Sequence, residues 1–320
     1  MPHFVWWILA ALVLSGIPLW IVSYFVAARC VYKCTLRRSS RVQWSREVPS
    51  DLAPDSLEMY AVGQAWADAN KDACTDVHIV RDGLHLYGEF YNFGGTRCAM
   101  ILSGRTECLK YGYYFAIPYA AAGFNILVVD PRGHGNSDGE FNTVGFEESK
   151  DAIAWVRYIH DDFGQSSFVF HGICIGAAAG MLALTSPDCP DYVDAIITEG
   201  MFPNFGESMK NHLFERKKPV RGMYQLINRQ MKIHTGYSMD YGPIDVIDKL
   251  KRPLLMLHSR EDLYSTPFYA QRLFDRAGTE NKTLVWFEHG RHSMLRITDT
   301  ARYDRAITEF LAKHFALQKV

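Results

Sequence analysis

The sequence lacks several patterns that would assign a protein to a large functional class. It contains no HExxH zinc motif, no Walker phosphate-binding loop and no GxGxxG after a predicted strand, so we expect no metal and no cofactor. Its formal net charge of −1 argues against general nucleic-acid binding. Its seven cysteines are odd in number and follow neither a disulfide framework nor paired CxxC clusters. This cysteine usage favours a reducing compartment.

Charge is also absent from residues 4–28, a run rich in Trp, Leu, Ile, Val and Ala. The run is longer than the roughly 20 residues that cross a bilayer, so it predicts a transmembrane helix. Only the terminal amine and His3 precede it, whereas a cleavable signal peptide carries positive charge there. Basic residues follow the run instead: Arg29, Lys33, Arg37, Arg38 and Arg41. The positive-inside rule therefore predicts a single-pass protein whose remaining residues face the cytoplasm.

The chain divides into three parts by composition. We expect a membrane anchor with a basic juxtamembrane stretch over 1–41, a linker with a short surface helix (about 56–69) over 42–74, and the main domain over 75–320. Cys30 and Cys34 lie in the basic stretch, where S-palmitoylation is physically possible; two unmodified thiols are the preferred interpretation.

The main domain begins with a predicted hairpin about Asp82-Gly83 and continues as alternating strands and helices. The predicted strands are 98–102, 126–129, 168–171, 195–198, 254–258 and 284–287; the predicted helices are 111–122, 146–163, a segment after Cys174, 268–277 and 300–315. This alternation indicates an α/β fold with a mostly parallel sheet and helices on both faces. It stops at about 203–250, a segment rich in Met, basic and aromatic residues that we interpret as an insertion over one end of the sheet.

The stretch 168–180 is the most informative in the chain. An apolar strand ends at Gly172, Cys174 follows, and Gly176 opens an alanine-rich helical segment. A residue at such a sharp turn needs small neighbours, and the positive end of the following helix lowers a thiol pKa. Cys174 is therefore a plausible nucleophile, although these residues equally fit a buried structural cysteine.

Four motifs in order resemble the α/β-hydrolase superfamily from about Thr75 onward. The sequence 172–176, GICIG, resembles the nucleophile elbow GxSxG with cysteine in place of serine, as in dienelactone hydrolase-like enzymes. The segment 130–139 resembles the loop after the fourth strand, and Ser103-Gly104 stands where these enzymes often have His-Gly. Asp262 and His292 each follow a predicted strand, in the order nucleophile, acid, histidine.

The resemblance implies a role for each site residue. Cys174 would be the nucleophile, His292 the base and Asp262 the acid that orients the histidine. The backbone N–H groups of Ile175 and, by family analogy, Arg105 would form the oxyanion hole. Two alternatives stay open: Glu199 as the acid and His289 as the base. We expect structural roles for two further histidines, His134 and His171.

The resemblance and the apolar run together predict a membrane-anchored hydrolase of carboxylic esters or thioesters that works through a Cys-His-Asp triad. The anchor and the insertion look more like anchored lipid or acyl-ester hydrolases than like the compact dienelactone enzymes, so lipid or acyl substrates are expected. An acyltransferase using the same acyl-enzyme and a non-catalytic scaffold of this fold are the alternatives.

Overall fold

A computed structural model describes residues 3–38, 44 and 52–315, with the side chains of 3–5 and 8–17 left aside. Arg41 and the part of the predicted linker over 42–43 and 45–51 lie outside the described residues.

Eight strands form one sheet whose order is β1-β2-β4-β3-β5-β6-β7-β8. The strands are β1 (Cys74–Arg81), β2 (Leu84–Tyr91), β3 (Arg97–Leu102), β4 (Asn125–Val129), β5 (Ser167–Ile173), β6 (Val193–Glu199), β7 (Leu254–Ser259) and β8 (Lys282–Phe287). The hairpin of β1 and β2 forms the antiparallel edge and β2 also pairs antiparallel with β4, while all other pairings are parallel. The predicted mostly parallel sheet is confirmed.

Ten α-helices are described. They are α1 (His3–Leu36), α2 (Pro54–Ala69), α3 (Leu109–Ala121), α4 (Phe146–Phe163), α5 (Ile175–Leu184), α6 (Phe205–Glu215), α7 (Met223–Thr235), α8 (Pro267–Arg276), α9 (Leu295–Thr298) and α10 (Thr300–His314). Helices α6 and α7 lie between β6 and β7, within the segment where the sequence pattern stops alternating; they are called the inserted helices below. The short helix α9 was not predicted.

Both faces of the sheet are buried. Successive residues of a strand point to opposite sides, so neighbouring residues belong to different apolar clusters. Met100 and Phe170 belong to the apolar cluster on one face, whereas Ile101 and Val169 belong to the cluster on the other. Strands buried on both faces read as continuous apolar runs, which explains why β3 and β5 stand out in the sequence.

Helix α2 lies where the sequence predicts a short surface helix, and one of its faces is buried. Its residues Met59 and Ala67 are buried, and Gly63 sits so close to α3 that a Cβ there would lie 2.8 Å from the backbone nitrogen of Tyr114. The other face is exposed, so α2 is a surface helix that packs one side on the main domain.

Helix α1 continues eight residues beyond the predicted end at Ala28. Its last turns bury Tyr32 and Leu36 in an apolar cluster with Ile227 and Met231 of α7, whereas Trp20 is exposed. The predicted basic juxtamembrane stretch is thus helical and packed on one side. Within the described residues, α1 is the one helix whose length and composition would suffice to cross a membrane.

Candidate active site

Cys174 lies between the end of β5 and the start of α5. Its backbone has φ 54° and ψ −112°, a conformation that L-residues rarely adopt, and its N–H donates to the carbonyl of Glu199 at 2.9 Å. The chain can turn so sharply because its neighbours are glycines. A Cβ at Gly176 would lie 1.9 Å from the carbonyl oxygen of Leu102, and one at Gly172 would lie 2.4 Å from a backbone atom of Ala177.

His292 follows β8 and meets Asp262, which follows β7. The Nδ1–H of His292 donates to Oδ2 of Asp262 at 2.6 Å. Gly200, at φ 61°, admits the ring, since a Cβ there would lie 3.0 Å from Cε1 of His292. The next residue, Ser293, also has a positive φ of 62°, and its carbonyl accepts the hydroxyl of Tyr111 at 2.8 Å. The loop that carries His292 is therefore held by Asp262 and by Tyr111.

The backbone fixes the carboxylate of Asp262. Its Oδ1 accepts the N–H groups of Tyr264 and Ser265, each at 2.8 Å, which leaves Oδ2 for His292. Burial raises the pKa of this carboxyl, but the charge and hydrogen bond of His292 outweigh it, so the pKa of Asp262 lies below its usual value. Asp262 is thus an ionised and immobile partner for the imidazole.

Charge coupling sets the thiol of Cys174 apart from those of Cys98, Cys108 and Cys189, whose pKa values burial raises. Burial raises its pKa, yet the charge and hydrogen bond of His292 and the charge of Arg105 outweigh burial and leave the pKa lowered. Burial lowers the pKa of His292, but Asp262 and Cys174 raise it well above its ordinary value. These opposite shifts favour a thiolate–imidazolium pair. By contrast, burial raises the pKa of Cys108 to about 12.

The loop after β3 faces the thiol. A Cβ at Gly104 would lie 3.6 Å from Cβ of Cys174, so the backbone at Gly104 approaches this side chain closely. Thr106 donates its N–H to Nε2 of His134 at 3.1 Å, and Nδ1 of His134 donates to the carbonyl of Arg132 at 2.9 Å. His134 therefore positions this loop. Sequence reasoning assigned it only to a tight turn, and nothing in the sequence pairs it with Thr106.

Comparisons with known proteins agree with this topology. A family model described as alpha/beta hydrolase fold matches residues 100–236. The Pyrococcus furiosus esterase superposes with a TM-score of 0.64 at 19% identity, covering 76% of this chain and 93% of that one. The chain has the alpha/beta hydrolase fold. An esterase from Exiguobacterium antarcticum also superposes, with a TM-score of 0.56 at 14% identity, covering 74% of this chain and 100% of the other.

The sequence is also similar to two further proteins. The uncharacterized protein YqkD of Bacillus subtilis is 29% identical over 67% of this chain and 69% of its own length. The human protein ABHD12B is 25% identical over 77% of this chain, and the matched part is 66% of its length, just under two thirds.

Cys174, His292 and Asp262 are coupled to one another, whereas the side chains of the two alternative residues form their hydrogen bonds elsewhere. The carboxylate of Glu199 is occupied elsewhere, because it accepts the N–H of Leu295 at 3.0 Å and the hydroxyl of Tyr303 at 2.7 Å. His289 lies at the surface, where it bonds Glu261 at 2.9 Å.

The inserted helices cover this site of the hydrolase fold. His212 of α6 stacks on Tyr264 with ring centroids 3.8 Å apart, and Tyr264 meets the ring of His292 edge-on at 5.7 Å. Burial lowers the pKa of His212 to about 3, so this ring is neutral at physiological pH. The sequence marked neither His212 nor Tyr264, because contacts between an insertion and a distant loop leave no spacing signal.

Proposed function

We propose that the chain is a hydrolase of carboxylic esters or thioesters in which Cys174 is the nucleophile, His292 the base and Asp262 the orienting acid. One observation carries the proposal: a thiol on a strained turn, with a lowered pKa, is coupled to an imidazole that a fixed carboxylate orients. The esterases among the solved relatives support the choice of ester bonds.

The reaction proceeds by two acyl transfers. The thiolate of Cys174 attacks the carbonyl carbon, and the oxyanion accepts hydrogen bonds from the N–H groups of Ile175 and Arg105. Ile175 is the first residue of α5, where backbone amides have no acceptor within the helix. The bond to the leaving group then breaks while His292 donates its proton to it. Water, deprotonated by His292, attacks the thioester and releases the acid and the thiolate.

A thiolate nucleophile restricts the substrate. Thiolates are also good leaving groups, so the tetrahedral intermediate of a poorly activated ester returns to reactants more often than it proceeds. Activated esters, lactones and thioesters avoid this loss. We therefore place thioesters and activated acyl esters ahead of simple alkyl esters.

Membrane anchoring by α1 is the second part of the proposal. Residues 3–23 would rise about 31 Å at about 1.5 Å per residue, which matches the hydrocarbon core of a bilayer. Beyond them, the hydroxyl of Tyr24 donates to the carbonyl of Arg221 at 2.8 Å. The turn before α7 also carries Arg216, Lys217 and Lys218, basic side chains that suit the headgroup layer. With the positive-inside rule, this arrangement supports a cytoplasmic catalytic domain.

Acyl-enzyme trapping tests the catalytic proposal. The full chain in detergent is mixed with 4-nitrophenyl butyrate and quenched in acid, and intact mass with peptide mapping should locate one butyryl group on Cys174. Cys174→Ala should abolish the adduct and the turnover, whereas Cys189→Ala, a half-buried thiol elsewhere, should change neither. Turnover by Cys174→Ala at the wild-type rate would refute the triad. Free butyrate as the sole product when glycerol is added would identify hydrolysis rather than transfer.

Orientation is tested separately on intact cells. A membrane-impermeant maleimide should label the exposed Cys30 only after the cells are permeabilised. Labelling of Cys30 from outside intact cells would place the domain on the opposite side.

A further inference from the structure

A cleft of about 530 Å³ lies between the end of α1, helix α6 and the loop after β3. Helix α1 lines it with Val31 and Thr35, and α6 with Met209 and Leu213, so both helices present apolar as well as polar groups to the cleft. Arg105 closes the inner end and donates to the carbonyl of Thr35 at 3.4 Å. Clefts of this size hold small ligands or lipid headgroups.

Three cationic side chains face this cleft: Arg105, Arg216 and Lys218. None of them forms an ion pair with a residue in the part of the chain that the structure describes. Glu107 influences Arg105 at longer range, but its carboxylate accepts the hydroxyl of Tyr60. Arg216 and Lys218 are exposed and Arg105 is partly buried, so the three like charges keep access to water but repel one another, and a bound anion would offset that repulsion.

The cleft adjoins the reacting atoms. Arg105, which lines the cleft, follows Gly104, where a Cβ would lie 3.6 Å from Cβ of Cys174, and its charge lowers the pKa of that thiol. His212 also lines the cleft and, through its stacking on Tyr264, contacts the residue that packs edge-on against His292. A molecule seated in the cleft can therefore present a carbonyl to the thiol while another of its groups meets the cations.

We propose that this cleft binds an anionic group, a phosphate or a carboxylate, that belongs to the acyl substrate itself. The inference rests on the proposed function, since it assigns a substrate class to the same site. Guanidinium groups bind such oxyanions through two parallel hydrogen bonds, and Lys218 adds a point charge. The apolar side chains of Val31, Met209 and Leu213 would then contact the carbon skeleton between the anion and the ester.

The test compares two esters that differ only in one anionic group: 1-dodecanoyl-glycerol and its 3-phosphate, each in micelles of a neutral detergent with the full chain. The wild type should favour the phosphate ester at least tenfold in kcat/KM. The double variant Arg216→Gln/Lys218→Gln should lower that ratio at least tenfold, mainly through KM. Lys217→Gln is the matched control, because it removes an adjacent charge in the same turn that does not line the cleft.

Binding to Cys174→Ala separates this inference from the catalytic proposal. This variant should bind the phosphate ester at least tenfold more tightly than the neutral ester, by calorimetry and without turnover. If it does and the wild type hydrolyses neither these two esters nor 4-nitrophenyl butyrate, the catalytic proposal fails and the anion site stands. If the wild type hydrolyses both esters equally, or Lys217→Gln lowers the ratio as much as the double variant, the anion site is refuted. If inorganic phosphate inhibits competitively, the cations also bind free phosphate. If the wild type still prefers the phosphate ester and inorganic phosphate does not inhibit, the cations bind the phosphate only as part of the headgroup.

Discussion

Replacing His292 by Asn should change how alkylation of Cys174 depends on pH. In the wild type, the lowered pKa of Cys174 and the raised pKa of His292 keep the thiolate present across the pH range between those two values. The rate of reaction with iodoacetamide follows the thiolate population. We therefore expect the wild-type rate to change less than about fivefold between pH 8 and pH 6.

The thiolate fraction of an ordinary thiol sets the expected size of this pH effect. With a pKa of about 8.5, the thiolate fraction is roughly 24% at pH 8 and roughly 0.3% at pH 6, a fall of about 80-fold. His292→Asn removes the imidazolium and leaves the weaker influence of Arg105. Its labelling rate should therefore fall at least about tenfold over this range and approach the 80-fold limit. Comparing two pH values within one variant cancels differences in intrinsic nucleophilicity.

Peptide mass spectrometry reads the labelling at each cysteine. Cys189 is the reference within the same chain, because burial raises its pKa to about 11 and its labelling should fall about 100-fold from pH 8 to pH 6. Thermal melting checks that His292→Asn is folded. If labelling of Cys174 in the wild type falls as steeply as that of Cys189, no thiolate–imidazolium pair exists and the proposed mechanism is wrong.

Three further predictions test other parts of the structure. Asp262→Asn should lower kcat/KM on 4-nitrophenyl butyrate roughly 10²- to 10⁴-fold, because an amide holds the wrong imidazole tautomer; an unchanged value would refute its role. Gly176→Ala should destabilise the chain to urea by about 3 kcal/mol or more, since its Cβ meets the backbone of Leu102, whereas Gly180→Ala, which meets only side-chain atoms, should cost under about 1.5 kcal/mol. Tyr32→Ala should cost about 3–5 kcal/mol and Tyr32→Phe under about 1 kcal/mol, because the buried hydroxyl has no hydrogen-bond partner among the described residues; equal losses would contradict the packing of α1 on the inserted helices.

The alternation of strands and helices was readable from the sequence because each element repeats a local period. Strands such as β5, buried on both faces, read as continuous apolar runs, and the glycines around Cys174 mark the sharp turn. The order of β3 and β4 in the sheet, by contrast, could not be predicted from local sequence patterns. It depends on which strands pair across the fold, and no local period encodes that choice.

The site could be predicted only as far as its residues lie in motifs. Cys174, Asp262 and His292 each follow a predicted strand at the same edge of a parallel sheet, so the topology brings them together. The parts that could not be predicted are contacts between distant segments. Two examples are the contacts of His134 with Thr106 and of His212 with Tyr264. Each joins two segments that are distant in the sequence, and no sequence pattern indicates that they meet.

Helix α1 ties the proposed membrane anchor to the site more closely than a flexible tether would. Tyr32 and Leu36 belong to the apolar cluster of the inserted helices, and Thr35 receives a hydrogen bond from Arg105. Arg105 in turn acts on the thiol of Cys174. Since α1 is one continuous helix, the same rigid element would fix the height of the cleft above the bilayer and form its wall. Acyl substrates with a headgroup at the membrane surface would then reach the thiol without leaving the interface completely.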